Sequence, residues 1–294
     1  MYQRILICTD FSDGLYRLVD FVPNLVAGGA NYIVFFNNVS LEADREIPRV
    51  DTDKVEAAKQ QLAAALTNVP EGVTVKVEVQ SGRVIDNILK QTEVHQADVI
   101  LLGMPTRSLL RETIFGSTTI ELSEKTSVPL LILRPQLISA YTTEELGLRC
   151  QHLFRYFLIP YDGSEGADYL VSQVKQQAQA RANRALETCR LCWVIDDSAR
   201  REIQASDPIG AAQEKLEAVK AELDLPDLEV KTEVRQGSPI EEILMAAEVH
   251  DISAIAVCPG SRGRFLRWSV PSMTQDILRR SWHPVIYFPP QQQS

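Results

Sequence analysis

Two short stretches hold the residues whose types and spacing suit chemistry. The first is Ile5-Leu6-Ile7-Cys8-Thr9-Asp10-Phe11-Ser12-Asp13, an apolar run ending in two carboxylates and two hydroxyls. The second is Asp98-Val99-Ile100-Leu101-Leu102-Gly103, followed by Met104 to Phe115 and then Gly116-Ser117 at the head of a helical pattern. Four apolar residues after Asp98 read as a strand buried on both faces, and Gly103 ends it where a side chain would obstruct close backbone approach. Serine is a favoured N-cap, and a helix start offers unpaired N–H groups to an anion. The chemistry suggested is phosphate binding. The same residues also describe an ordinary connection between a strand and a capped helix.

The elements that must position these residues are written twice. Gly82 matches Gly237, Ile88-Leu89 match Ile243-Leu244, Glu93-Val94-His95 match Glu248-Val249-His250, and Pro129 matches Pro284, all at an offset of 155. Asp10 and Ser12 match Asp162 and Ser164 at an offset of 152, a difference that loop lengths absorb. Duplication on this scale fixes the architecture before any element is assigned. With 294 residues there is room for two domains, each burying its own core.

In the first half, strand-like runs at Ile5 to Cys8, Tyr32 to Phe36, Val73 to Val79, Val99 to Leu102 and Leu130 to Leu133 alternate with helical patterns. Such alternation predicts a parallel sheet with right-handed crossovers and helices on both faces. Val73, Val75, Val77 and Val79 alternate with polar residues, so this strand is expected to be half exposed near a sheet edge. Val55, Ala58, Leu62, Ala65 and Leu66 form one helical face, and Ile85, Ile88 and Leu89 another. The polar stretch from Gln136 to His152 reads as a connector holding a short helix, with Thr142 and Glu145 at capping-box spacing. The second half repeats the pattern from Tyr156 to Phe288. The boundaries expected are 1–138 for the first domain, 139–152 for the linker and 153–290 for the second domain.

A net charge of -9 argues against a nucleic-acid backbone as the main partner. No run approaches the length of a membrane span and no export signal precedes Arg4-Ile5, so a cytoplasmic location is expected. Five cysteines without framework spacing fit free thiols in a reducing compartment. Cys189 and Cys192 have Cys-x-x-Cys spacing, but on a strand residues three apart point to opposite faces, which favours a structural role. His95 and His250 both close a helical pattern, where a histidine suits the negative end of the dipole. No metal cluster is evident.

The Ile-Leu-Ile-x-Thr-Asp-Phe-Ser run and the spacing of Gly103, Gly116 and Ser117 resemble the universal stress protein family. The resemblance covers nearly the whole chain. It implies two tandem doubly wound parallel five-stranded sheets of order 3-2-1-4-5, an α/β fold of the adenine nucleotide alpha hydrolase-like class. It also implies ATP or another adenine nucleotide as ligand, or none where the motif is lacking. Strands one and four are neighbours in that order, and a crevice opens where their crossovers leave on opposite faces. By resemblance, Asp10 contacts the nucleoside, Val39 lines the adenine slot, and Gly103, Gly116 and Ser117 meet ribose and phosphates. The resemblance implies that the halves pair as an intramolecular pseudo-dimer through Val128 to Arg134 and Pro284 to Phe288, and it leaves room for whole chains to dimerise further.

The departures fall in the phosphate loops. Thr106 stands where the family has its second glycine, and a β-branched residue adopts positive φ only at a penalty of ~1–2 kcal/mol. Arg107 and Arg111 offer partial compensation, or are solvated loop residues. In the second half, Cys258, Ser261 and Pro271 stand at the glycine positions and only Ser272 survives. The favoured reading is a non-catalytic adenine-nucleotide-binding stress-response module with the better-preserved site in the first domain. The alternative is an interaction protein of the same fold that binds no nucleotide, its protein partner unknown. An enzyme of the same superfamily would carry a Ser-Gly-Gly loop or a His-x-Gly-His motif after strand one, and neither occurs.

Overall fold

The computed structural model describes residues 2–41, 49–104, 117–179, 185–196, 207–259 and 273–290. The chain divides into two compact units, Tyr2–Gln151 and His152–Ser294.

In the first unit the strands are β1 (Arg4–Cys8), β2 (Tyr32–Val39), β3 (Thr74–Ser81), β4 (Val99–Gly103) and β5 (Leu130–Leu133). The helices are α1 (Val22–Ala27), α2 (Thr52–Leu62), α3 (Val84–Val94), α4 (Ser117–Lys125), α5 (Pro135–Ala140) and α6 (Thr143–Gln151). Leu15–Phe21 and Ala63–Leu66 form 3-10 turns. Within this unit the strand order is β3-β2-β1-β4-β5, all pairs parallel. The order 3-2-1-4-5 expected from the resemblance is therefore present. Ile5 to Ile7, Ile33 to Phe36 and Val99 to Leu102 are buried, as continuous apolar runs covered on both faces should be. β3 stands at the edge and is half exposed, matching its alternating sequence.

The connector spacing resolves into a capped helix. Thr142 N donates to Glu145 Oε2 at 2.8 Å, and Glu145 N donates to Thr142 Oγ1 at 3.3 Å. The helix so started, α6, buries Leu146 and Cys150 and packs on α1, so the first unit extends to Gln151. The contact depends on a small residue: a Cβ at Gly28 would stand 2.6 Å from the Gln151 carbonyl oxygen.

The second unit has β6 (Tyr156–Pro160), α7 (Glu165–Gln179), β7 (Thr188–Ile195), α8 (Pro208–Glu222), β8 (Glu229–Gln236), α9 (Pro239–Val249), β9 (Ala254–Val257), α10 (Met273–Arg280) and β10 (Val285–Tyr287). Its strand order is β8-β7-β6-β9-β10, again parallel. The duplication extends to backbone detail. Gly82 and Gly237 both have positive φ, 122° and 140°, and so do Gln96 and Asp251, 48° and 50°.

Both histidines occupy the C-cap of their helices. His95 does more than face a dipole. Its Nδ1 lies 3.0 Å from Tyr32 Oη and its Nε2 2.9 Å from Gln91 Oε1, which fixes the ring between two neutral partners. His250 instead meets Glu233 Oε2 at 3.0 Å. Cys189 and Cys192 are three apart on β7 and both are buried. No helix among the described residues is long and apolar enough to cross a membrane.

Candidate functional site

Where β1 and β4 end side by side, the first unit has a crevice of about 140 Å³. Asp98 fixes that alignment: its carboxylate accepts from Gln3 N and Arg4 N at 3.0 to 3.1 Å, pinning the start of β1 beside β4. The register from Ile5↔Val99 to Cys8↔Leu102 then delivers Thr9 and Asp10 next to Gly103. Residues 93 positions apart in sequence thus share one crevice without further help.

Asp10 is exposed on this crevice and accepts from Ser12 N at 2.8 Å and Ser12 Oγ at 2.7 Å, both through Oδ1. The Asx turn this makes holds the carboxylate at the strand end. Gly103 lines the same crevice, with Thr118 and Thr119 from the first turn of α4. Ser117 opens α4, immediately before them. Val39 is buried at the end of β2 and is absent from the lining; its neighbour Asn38 takes that position. Asn38 is oriented by Asn87, whose Nδ2 donates to Asn38 Oδ1 at 2.7 Å, and its own amide donates to the Gly82 carbonyl. Thr106, Gly116, Arg107 and Arg111 lie outside the described residues, as do Ser261, Pro271 and Ser272.

Asp13 has a place in this crevice that the sequence does not assign to it. It is 5% exposed and packs directly on Gly103: a Cβ there would stand 2.3 Å from the Asp13 Cβ and 2.9 Å from Oδ2. Its Oδ1 accepts from Thr9 Oγ1 at 2.7 Å and from Leu15 N, at the start of the 3-10 turn, at 2.9 Å. Burial pushes its carboxyl up to about 6, against the lowering by those hydrogen bonds and with a further rise from the Asp10 charge. Burial, reinforced by the Asp13 charge, also pushes the Cys8 thiol far up. A carboxylate just before a helical pattern reads as a cap, and only the β1–β4 register shows that it faces the glycine.

The described lining fits an adenine nucleotide in part. Asp10 offers a carboxylate acceptor and Asn38 an oriented amide, which suit a nucleoside. The phosphate end fits less well, since the space beside Gly103 is filled by Asp13 and no Lys, Arg or His lines the crevice among the described residues. No group of His, Cys, Asp and Glu suited to a metal ion occurs among the described residues.

In the second unit the corresponding crevice, about 120 Å³, is lined by Asp162, Ser164, Gly166, Cys258 and Thr274. Asp162 Oδ1 accepts from Ser164 N at 3.0 Å, and Ser164 Oγ accepts from Ala167 N at 3.2 Å, so Ser164 caps α7. Cys258 stands where Gly103 does in the first unit. Its thiol donates to the Gly166 carbonyl at 3.1 Å, while its own carbonyl accepts from Thr274 Oγ1 at 2.6 Å. Tyr161 replaces Thr9, donates to Asp168 Oδ1 at 2.5 Å, and its ring centre lies 5.7 Å from that of Trp193, the planes tilted by 59°.

Comparison with known proteins agrees with the fold. The family model described as "Universal stress protein family" matches residues 1–134 and again 154–289. A universal stress protein from Archaeoglobus fulgidus DSM 4304 is similar in structure, with a TM-score of 0.64, 20% identity and 97% of each chain covered. A putative universal stress protein from Pseudomonas aeruginosa UCBPP-PA14 has a TM-score of 0.58 and 12% identity over 98% of this chain and 93% of that one. A functionally unknown protein from Pseudomonas aeruginosa PAO1 has a TM-score of 0.57 and 13% identity over 98% of this chain and 92% of that one. No curated protein matches the sequence. With the family model matching twice and together covering most of its residues, this chain belongs to the universal stress protein family.

Proposed function

We propose that this chain is a non-catalytic stress-response module that binds an adenine nucleotide, ATP or another, through the crevice of its first domain, with a degenerate second site. The observation that supports it is the convergence of Asp10, Gly103 and the first turn of α4 at the ends of β1 and β4, the position where doubly wound sheets take their ligands. A binding role accords with the thiols on offer, since burial holds Cys8 and Cys258 far from their reactive thiolate form. The second domain contributes less because a Cys258 side chain occupies its glycine position. The test is mass spectrometry of ligand released from the purified chain, with calorimetric titration of the ligand-free protein. Release of an adenine compound, and saturable rebinding lost in Gly103→Val, is the expected result.

A second reading, an interaction protein that binds no nucleotide, is favoured by one observation, the Asp13 side chain packed on Gly103. It predicts no adenine compound in the purified chain and no heat on titration.

A further inference from the structure

We propose that Asn38 reads the base of the nucleotide in the first-domain crevice, pairing with the 6-amino group of adenine and the neighbouring ring nitrogen and disfavouring a 6-oxo purine. This rests on the reading above, that an adenine nucleotide occupies the crevice, and goes beyond it by assigning the side chain that selects the base.

Strand order sets which end of the crevice takes the base. β2, β1 and β4 lie side by side, so Asn38, Asp10 and Gly103 stand in that order across their ends, over two strand spacings or about 10 Å. The α4 side presents the hydroxyls of Thr118 and Thr119. The β2 side presents Phe36, Val84 and Ile88, an apolar surface suited to a flat ring, with the Asn38 amide beside them. A nucleotide laid along this line places its base at Asn38 and its ribose at Asp10.

The Asn38 amide is held in one orientation. Its Nδ2 donates to the Gly82 carbonyl at 3.0 Å, and its Oδ1 accepts from Asn87 Nδ2 at 2.7 Å. Asn87 Nδ2 also donates to the Ser81 carbonyl at 3.2 Å. A carbonyl accepts and never donates, so Ser81 and Gly82 fix which end of each amide is nitrogen. Among the described residues, the second Asn38 N–H and the second Oδ1 lone pair have no other partner. An acceptor beside a donor, in fixed order, complements the amino group and adjacent ring nitrogen of adenine. A 6-oxo purine presents an acceptor where adenine presents that amino donor, and it meets the same amide only by shifting across the crevice. The second domain is built without this pair. Val194 stands seventh in β7 as Asn38 does in β2, and Glu242 stands at the Asn87 position, where it accepts from Arg235 Nε at 2.7 Å. The fold therefore does not require the two amides, which separates a ligand role from a structural one.

The experiment is calorimetric titration of the full, ligand-free chain with ATP and with ITP, its 6-oxo counterpart. The proteins are the wild type, Asn38→Val, which copies the residue of the second domain, and Asn87→Ala, which leaves Asn38 in place but releases its Oδ1. The wild type is expected to bind ATP at least about tenfold more tightly than ITP. Asn38→Val is expected to weaken ATP about tenfold or more and ITP by less than about threefold, and Asn87→Ala to lower the ATP-to-ITP ratio while still binding both. If the wild type binds the two alike, or if both variants keep its ratio or lose both ligands together, Asn38 does not read the base, and the adenine reading still stands on the binding of ATP. If neither nucleotide binds the wild type, the adenine reading itself fails and takes this proposal with it.

Discussion

Phe11 and Gly163 hold the same left-handed backbone, φ 66° and 73°, at the same step of the repeat, directly after the aspartate that lies two residues beyond the first strand of each unit. The turn demands that conformation in both units, yet only one of them supplies the residue suited to it. A non-glycine residue there carries a strain of about 1–2 kcal/mol. In the first unit the turn is closed by Phe11 N donating to Thr9 Oγ1 at 3.0 Å, and the Phe11 ring lies 6.4 Å from that of Tyr16. In the second, a Cβ at Gly163 would come within 3.1 Å of Trp193. Gly163→Ala is therefore expected to destabilise by about 1–2 kcal/mol, because strain and the displaced indole act together. Phe11→Gly should fall within about 1 kcal/mol of the wild type, since relief of strain offsets the lost ring contact. Urea unfolding of both variants checks this, and a larger loss for Phe11→Gly than for Gly163→Ala would contradict it.

Burial of Asp13 makes stability depend on pH in a calculable direction. Its folded value, about 6, lies above the ordinary 3.8, so the folded state binds more protons across that interval. The contribution is fully present below about pH 4 and is lost as pH rises through about 6. A shift of this size corresponds to roughly 3 kcal/mol against the folded state at neutral pH. Asp13→Asn should consequently be more stable than the wild type at pH 8 by up to that amount, with the gap closing toward pH 4. Parallel urea melts from pH 4 to 8 measure it; a gap independent of pH would show that the carboxyl ionises as it does in the unfolded chain.

Much of the architecture was legible because it rests on periodicity that is local in sequence. The apolar runs of β1 and β4 are uninterrupted and central, the alternating Val73 to Val79 marks an edge strand, and Thr142 and Glu145 announce a helix that closes in the expected capping box. The crevice was legible only in outline. Asp10 and Gly103 follow from the resemblance, but which residues face them depends on the register of two strands and on the pleat. Pleat alternation is why Asn38 rather than Val39 lines the crevice, and the β1–β4 register is why Asp13 rests on Gly103. Neither relation leaves a mark in composition or spacing.

The five cysteines are all buried and unpaired, so their reactivity should be low in the folded protein. Burial pushes Cys150, Cys189, Cys192 and Cys258 up to about 12, and Cys8 further still. Because the thiolate is the nucleophile, native protein at pH 8 is expected to take up iodoacetamide slowly at every site, and denatured protein at all five. Intact-mass spectrometry with time reads this directly. Rapid single-site labelling of native protein would identify a cysteine whose surroundings open on that timescale.

The pair of His95 and Tyr32 yields the last prediction, again through the sign of a proton linkage. With Gln91 Oε1 accepting from Nε2–H, the remaining ring nitrogen Nδ1 accepts from Tyr32 Oη–H at 3.0 Å, an arrangement that requires a neutral imidazole. Burial lowers the His95 value below the ordinary 6.5; Glu78 at 3.6 Å opposes that lowering, while Lys76 and Arg4 add to it. A lowered value means that the unfolded chain takes the proton first, so this contribution to stability is present above about pH 6.5 and is lost as pH falls below it. Asp13 acts in the opposite sense between pH 4 and 6, so the His95 effect is best read as a difference between proteins. Wild type minus His95→Gln should shrink as pH drops from 7 to 5. Tyr32→Phe leaves Nδ1 without its donor in a buried position and is expected to lose about 1–2 kcal/mol at pH 8. It should also weaken the pH dependence, since an unpaired Nδ1 accepts a proton more readily than one already bonded. If Tyr32→Phe melts with the wild type at pH 8, the ring is held by Gln91 and packing alone.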